Sequence, residues 1–542
     1  MEQSGQAGGG GGRAAAAASS PWAPFAHPVF SVIWTATLVS NIGSWMYSAA
    51  CGWLMTSLDP SPLVVSLVQV ASSLPMFLFA MPAGALTDSL DKRKFLAWGE
   101  TSITLLSLAF AVMVWLKLAT AAVLLVFAFL VAAGNAFTAP AWQAVTPLLV
   151  PRKDLQPAVA ANSVGINLSR AIGPALGGVL LGVFGIAAPF WINGVSNLGV
   201  VGSLIWWLPP RRRTSSLPPE HIWSSMRTGL RYARYSAPLS ATLVRSAGFF
   251  VFGSAYWALL PLVARSRIAG GPALYGGLLS VIGAAAVGGA LLLPRLSRRF
   301  GANGLAALGG LGTAAATALF GLAHEVWTAL LASVLAGVSW MASLSSLNLS
   351  AQLALPEWGR GRGMAIYVTV MFGSLSLGSL IWGQAASSLG LSDALLIAAA
   401  GGAVAVVLLS RFKLSMAAGL DLTPSMHWPQ PITTGDFDHN RGPVLVTLRY
   451  RIDPADREPF LEALEKLGRE RRRDGAYRWR VYEDPAEKGV FTELFMNDSW
   501  LDHMRHHERV TAADRALQDA VQRFQIGEGP ETTHLLAVPT HI

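Results

Sequence analysis

Charge is scarce in this chain. Asp, Glu, Lys and Arg make up 13% of its 542 residues, about half the share of an ordinary soluble domain (roughly 25%). A single cysteine, Cys51, excludes an intramolecular disulfide; in its apolar run it reads as a small packing residue. No Gly-x-x-x-x-Gly-Lys-Ser/Thr loop occurs, so nucleotide hydrolysis on such a loop is excluded and no cofactor is expected. The N-terminal stretch, residues 1–27, is rich in Gly and Ala. It lacks a basic start followed by an apolar core, so it is expected to be disordered and not a signal peptide.

What is abundant is long apolar sequence. Spans are predicted over 28–55, 63–86, 95–117, 121–148, 156–185, 187–208, 239–263, 272–294, 301–322, 325–354, 362–388 and 391–411. Each is long enough for the roughly 20 residues that cross the hydrocarbon core, and the longer ones suit tilted or kinked helices. The runs are continuous, not short and alternating, which favours helices over a barrel. Basic residues explain the net charge of +9 by position. They follow every second span: Lys92, Arg93 and Lys94; Arg152 and Lys153; Arg211 to Arg213; Arg295, Arg298 and Arg299; Arg360 and Arg362; Arg411 and Lys413. The opposite loops hold little beyond Lys117, Arg265 and Arg267. The positive-inside rule then puts both termini in the cytoplasm of a multi-pass protein of the cell (inner) membrane. A nucleic-acid partner is not expected.

The chain matches itself at an offset of about 205 residues. Gly84, Arg93 and Lys94 correspond to Gly289, Arg298 and Arg299, and Pro151 to Pro356. Ser169, Gly173 and Gly178 correspond to Ser374, Gly378 and Gly383. Two six-span halves, 28–208 and 239–413, are therefore expected. Between them, 209–238 is basic and carries an amphipathic pattern in which Ile222, Met226, Leu230 and Tyr232 alternate with Arg227, Arg231 and Arg234.

Between spans two and three stands Gly84-Ala-Leu-Thr-Asp88-Ser-Leu-Asp91-Lys92-Arg93-Lys94. It resembles the signature loop of the major facilitator superfamily, Gly-x-x-x-Asp-Arg-x-Gly-Arg-Lys. Ser89 and Asp91 stand where that pattern has Arg and Gly. Gly84 is expected to let two helices approach, Asp88 to latch the cytoplasmic side, and the basic cluster to hold the inner leaflet. In the fifth span, Gly165, Ser169, Gly173 and Gly177 recur every fourth residue, with Pro174 and Gly178 beside them. This is a packing face, and the string from Gly173 to Gly178 resembles the fifth-helix motif of drug–proton antiporters. Ala139-Pro-Ala-Trp-Gln143, Val150-Pro-Arg152, Ala161-Asn162-Ser163 and Ser169-Arg170 together resemble the transmembrane secretion effector branch, which includes enterobactin-exporter-like permeases. The resemblance covers about residues 25–540. It implies a twelve-helix major facilitator fold and export of a small organic molecule such as a siderophore or drug.

Ionisable groups inside spans are site candidates because burying them is costly. Glu100 is the one carboxylate placed beyond the first turn of a span, some six residues inside span three. With Asp88 it is a candidate for proton coupling. Arg170, deep in span five, is expected either to bind an anionic or catecholate-like substrate or to pair with Glu100. Arg245 is expected to snorkel. Asn41, Asn135, Gln143, Asn348 and Tyr256 join Arg170 as substrate-binding candidates. Asn162, Asn167 and Gln352 are further polar residues of the spans, and Trp45, Trp142 and Trp340 are candidate aromatic walls.

After a Pro- and Gly-bearing linker at 414–442, residues 443–540 change character. Val444 to Tyr450 alternate as a strand. Asp453-Pro454 opens a helix with Phe460, Leu461, Leu464 and Leu467 on one face. Strands follow around Tyr477–Val481 and Val490–Met496, a helical region over about 499–523, and a last strand over Leu535–Val538. The order βαββαβ predicts a ferredoxin-like α+β domain, and it resembles the dimeric barrel of antibiotic-biosynthesis monooxygenases. Homodimerisation through this domain is expected. His503, His506 and His507 lie close in sequence, but no carboxylate or Cys completes a ligand set, so neither a metal site nor a catalytic residue is assigned. The expected partners are a small-molecule substrate, protons and the lipid bilayer. The rival readings are a proton-coupled importer and a membrane-tethered monooxygenase-like enzyme.

Overall fold

A computed structural model describes residues 20–208, 222–414 and 440–538, with Asp421, Thr423, Ser425 and Trp428 from the intervening stretch. Residues 1–19, most of the 414–442 linker and the side chain of Asp88 lie outside that description.

Twelve α-helices precede the first strand in the described residues. They are α1 (Pro28–Leu58), α2 (Pro62–Ser89), α3 (Lys92–Trp115), α4 (Ala121–Leu149), α5 (Leu155–Phe184), α6 (Ala188–Trp206), α7 (Ile222–Tyr235), α8 (Ala237–Leu262), α9 (Pro272–Leu322), α10 (Val326–Leu353), α11 (Arg360–Leu389) and α12 (Leu391–Leu409). Ten of them, all but α6 and α7, are long and apolar enough to cross a membrane. Their starts follow local chemistry. Proline stands in the first turn of α1, α2, α6, α8 and α9, where its missing N–H removes no helical bond. Asp91 caps α3 by accepting from Lys94 N, and Thr120 caps α4 by accepting from Val123 N.

Two expectations about span boundaries change. The loop predicted between 294 and 301 is helical, so α9 runs 51 residues and is broken only at Gly301, whose φ of +64° lies in the left-handed region. Gly tolerates that backbone, and Pro294 upstream does not end the helix. The predicted span 187–208 is the 19-residue α6, which falls short in hydropathy because it carries Asn193 and Asn197. Both amides are buried. Asn193 donates to Ser107 Oγ at 3.2 Å, and Asn197 accepts from Ser40 Oγ, which ties α6 to α3 and α1.

Glycines at matching positions of the 205-residue offset make matching contacts. A Cβ on Gly173 of α5 would meet Trp45 Cβ at 2.5 Å and Ile42 O at 2.9 Å on α1. A Cβ on its counterpart Gly378 of α11 would meet Val251 and Ser254 on α8. Gly178 packs against Pro272 and Gly276 of α9, and its counterpart Gly383 against Leu63 and Ser66 of α2. Pro151 and Pro356 each precede a short 3-10 turn, Arg152–Asp154 and Glu357–Gly359.

The remaining chain forms β1 (Val444–Arg451), α13 (Arg457–Arg473), β2 (Tyr477–Glu483), β3 (Val490–Asn497), α14 (Trp500–Arg509), α15 (Ala512–Gln522) and β4 (Glu531–Leu536). The sheet order is β2-β3-β1-β4, with every neighbouring pair antiparallel. Alternate residues of β1 (Val444, Val446, Leu448, Tyr450) pack with Phe460, Leu464 and Phe495 into one core. The helical region predicted over 499–523 is two helices. Thr511 and Asp514 form a reciprocal capping box that starts α15 at the break. The last strand begins at Glu531, earlier than the predicted Leu535, because its pairing with β1 extends to Arg449. Its apolar residues lie only at the far end, where periodicity alone is read.

This α+β unit rests on α7 and on the turn before α11. Arg231 of α7 donates to Gly475 O at 2.6 Å and lies 3.7 Å from Asp498. Arg472 sits between the rings of Tyr235 and Trp479, at 5.4 and 5.0 Å. Arg509 lies 4.9 Å above Trp358.

Candidate functional site

A cavity of about 460 Å³ lies between the helices of the two sequence repeats, within the roughly 300–1,000 Å³ typical of small-molecule sites. Trp45, Ser48 and Gly52 of α1, Gln69 and Ser72 of α2, and Arg170 of α5 contribute one side. Phe250 and Trp257 of α8, Tyr275 and Leu279 of α9, Trp340 of α10, and Met371 and Phe372 of α11 contribute the other. The wall is apolar and aromatic, with a few hydroxyls and one amide.

Arg170 is the one charged side chain among the described lining residues. Its guanidinium carbon lies 5.4 Å from the Trp45 ring centroid, a cation–π contact. Its Nε is buried and has no hydrogen-bond partner among the described residues. The pairing expected between Arg170 and Glu100 is not formed. Glu100 is 7% exposed and accepts instead from Trp142 Nε1 at 2.7 Å, away from the cavity lining.

The fifth-helix stripe explains why Arg170 can reach the cavity. Gly165, Ser169, Gly173 and Gly177 face α1: the first lies near Trp34, Ser169 Oγ donates to Leu38 O at 3.4 Å, and Gly177 abuts Met46. Pro174 and Gly178 face α9 of the other repeat. A Cβ on Gly178 would meet Pro272 O at 2.6 Å, and one on Gly276 would fall on the Pro174 carbonyl. A Cβ on Gly283 of α9 would meet Arg170 O at 2.8 Å. The helices therefore approach at backbone distance, as small residues permit.

The repeats are joined at the ends of the helices that lie away from α7. Arg265 donates to Thr56 Oγ1 at 2.9 Å and Ser57 Oγ at 2.8 Å, and Leu63 N donates to Ser387 Oγ at 3.0 Å. Deeper along α2 and α11, Ser73 and Ser376 hydroxyls are 2.7 Å apart.

Other candidates sit elsewhere. Tyr256 is fully buried, packed between Phe320 at 5.8 Å, Trp340 at 6.0 Å and Trp257 at 5.4 Å, and does not line the cavity. Asn135 and Gln143 are exposed on α4. Asn348 accepts from Gln352 at 3.3 Å, one turn along its own helix, and Asn41 is half-buried outside the lining. Arg245 does not snorkel; it is 7% exposed and donates to Asn303 Oδ1 at 2.7 Å. In the signature loop, a Cβ on Gly84 would meet nothing within 4 Å, so no close helix approach depends on it in this state. Asp91 is the α3 cap. Arg93 donates to Leu204 O at 2.9 Å and Ile205 O at 2.5 Å, capping α6, while the neighbouring Lys92 is half-buried. Gln69, Trp257 and Tyr275 are lining residues that the sequence reading passed over. Gln69, a lone amide in an apolar run, was visible as a signal; the two aromatics carry none.

In the α+β unit, β4 brings His534 to His503 and His507, and one ring nitrogen from each lies within 4.8 Å of the others. The sequence pattern, in which no carboxylate or Cys completes a ligand set beside His503, His506 and His507, assigns no metal site and leaves His534 out of the cluster. His506 turns away, its Nδ1 3.4 Å from Asn497 Nδ2.

A bundle of apolar helices about an aromatic cavity fits a membrane transporter of the major facilitator superfamily, the class to which the matching family model belongs. The chain belongs to the transmembrane secretion effector family of that superfamily, whose match runs over residues 19–540 and so includes the α+β unit. It is similar to the staphyloferrin A transporter of Staphylococcus aureus, 22% identical over 65% of this chain and 87% of that protein. It is 27% identical to the enterobactin exporter EntS of Shigella boydii over 59% of this chain and 76% of the relative. The macrolide efflux protein A of Streptococcus pyogenes is 25% identical over 45% and 60%. Among solved structures, a bacterial homolog of the lysosomal transporter Spinster, in an inward-facing unoccupied conformation, superposes with a TM-score of 0.55 at 15% identity. That likeness covers 71% of this chain and 97% of that one. A POT family transporter superposes at 0.57 with 12% identity over 71% and 95%.

Proposed function

We propose that the protein is a proton-coupled exporter of a small anionic organic molecule, working by alternating access. The observation that carries this reading is Arg170. It is a guanidinium in an aromatic cavity between the repeats, 5.4 Å from the Trp45 ring centroid, and its Nε has no hydrogen-bond partner among the described residues. A cation held in apolar surroundings is costly, and a bound anion offsets that cost. Catecholates and carboxylates supply both the negative charge and, for catechols, a ring that stacks on Trp45, Trp257 or Trp340. Export is favoured over import by the relatives named for siderophore export and macrolide efflux.

The membrane reading is of twelve crossings: α1 to α6, α8, the two parts of α9 on either side of Gly301, and α10 to α12. The halves are 28–208 and 239–413, joined through 209–238. The positive-inside pattern supports an inner-membrane protein with both termini on the cytoplasmic side. In that orientation the Arg265–Thr56, Leu63–Ser387 and Gly178–Gly276 contacts close the outer side, which supports an inward-open state. Glu100 and Asp88 remain the proton-coupling candidates. Residues 443–540 are read as a ferredoxin-like unit, since the strand order 2-3-1-4 is that of the fold. Its uncovered sheet face carries Leu445, Leu494, Met496 and Leu535, which supports pairing with a second copy.

The test is uptake of a radiolabelled catecholate siderophore into everted membrane vesicles energised with a proton gradient. Accumulation that collapses with the gradient and is lost in Arg170→Gln supports the reading. Gradient-driven uptake by right-side-out vesicles identifies an importer instead.

A further inference from the structure

His503 and His507 are four residues apart on α14 and share one face. Their Nε2 atoms are 3.1 Å apart. Two nitrogens bound tetrahedrally to one zinc ion at roughly 2.0–2.1 Å lie about 3.3 Å from each other. The pair therefore already has ligand spacing. β4 supplies the third imidazole: the His534 ring centroid is 4.8 Å from that of His503. One ring nitrogen from each of the three already lies within 4.8 Å of the others.

The surroundings are those of a built site. His503 is 1% exposed, and its Nδ1 is buried with no hydrogen-bond partner among the described residues. Trp500 packs on both His503 and His534, with centroids at 5.5 and 6.1 Å, and Trp428 packs on His507 at 4.7 Å. Arg471, the nearby cation, is paired with buried Glu493 at 3.4 Å.

We propose that His503, His507 and His534 form a binding site for a transition-metal cation of the zinc type. Three imidazoles select borderline metals such as zinc, copper or nickel over magnesium and calcium, which take oxygen ligands. The set leaves a coordination position for water or an added donor. α14 also carries Arg509, which stacks on Trp358 before α11. A metal that holds α14 to β4 therefore acts next to the contact with the membrane-embedded part.

The experiment uses the full chain in detergent, purified on a histidine-free tag, stripped with chelator and titrated with Zn2+. We expect one ion per chain. His507→Gln and His534→Gln should each weaken binding by at least about tenfold, and His324→Gln, outside the site, should leave it unchanged. His507 and His534 are chosen because they are less buried than His503. Elution volume and far-UV dichroism check the fold. The unmodified chain loaded with Co2+ gives an independent readout, with intense visible absorption of a nitrogen-ligated, four- or five-coordinate ion expected. Zn2+ binding that is substoichiometric, or unchanged in both variants, overturns the proposal. So does a Co2+ spectrum matching the hexaaqua ion.

Discussion

Gly178 of the first repeat lies against Gly276 of the second, so that a Cβ on Gly178 would come within 3.1 Å of the Gly276 Cα. This contact joins the two repeats at one end of the cavity. A side chain there cannot be accommodated without separating α5 from α9, because the atoms met are backbone. Gly178→Val is expected to open this end. The measurement is labelling of a cysteine placed at Ser48, in a Cys51→Ala background, by an impermeant maleimide added outside. Labelling should rise severalfold in Gly178→Val; no change would mean that the contact does not close the outer side.

Glu100 and Trp142 form a buried pair at 2.7 Å. Glu100→Gln keeps an acceptor for the indole N–H, so the fold should survive. Glu100→Ala leaves that donor unsatisfied and should cost about 1–3 kcal/mol. If Glu100 carries the proton, Glu100→Gln abolishes the pH dependence of transport while expression is retained. Proton-driven transport at the unaltered rate in Glu100→Gln removes Glu100 from the mechanism.

The α+β unit should respond to acid. His503 is pushed down to about 3, and His506 lies well below its usual value of 6.5; burial is the leading cause for both. The unfolded chain takes up these protons near 6.5 and the folded one far lower. Their contribution is therefore full above about 6.5 and is lost as pH falls toward 3, at up to about 1.4 kcal/mol per unit and group. Glu470 runs the other way. Burial raises it to about 8, so its contribution is present below its usual value of 4.5 and lost as pH rises through about 8. Hydrogen exchange in β1 and β3, corrected for intrinsic rate and measured with chelator present, should be faster at pH 5 than at pH 7. Glu470→Gln should enlarge the difference. Equal protection at both pH values would contradict the sign derived from the histidines.

Arg231 holds the α+β unit to α7 through Gly475 O and Asp498. Arg231→Ala with Trp358→Ala should free the unit without unfolding it. Limited proteolysis between residues 414 and 442 should then be at least severalfold faster. An unchanged cleavage rate would show that the unit is held by other contacts.

The apolar spans and the strands were legible because each signal is local: length and hydropathy for the helices, alternation for β1 to β3, and the apolar end alone for β4, whose start was missed. The glycine stripe of α5 was legible too, but not its division of labour, with Gly173 serving α1 and Gly178 serving α9. Residues whose role depends on what a distant element brings were not legible. Arg170 was found by its charge, yet its partner ring Trp45 and the absence of a pairing with Glu100 follow from helix rotation. Tyr256 looked like a cavity residue and is sealed behind Trp257 and Trp340. Arg245 finds Asn303 58 positions along the chain. His534 joins His503 and His507 only through the pairing of β4 with β1.

The most direct test of the account is substrate-driven transport through the Arg170 cavity. Everted vesicles carrying the unaltered chain, Arg170→Gln or Arg170→Lys are energised and supplied with a labelled catecholate siderophore. The unaltered chain should accumulate it, Arg170→Gln should fall by at least tenfold, and Arg170→Lys should retain part of the activity because it keeps the charge but loses the planar, fork-like donor set of the guanidinium. Accumulation by Arg170→Gln equal to that of the unaltered chain would contradict the account.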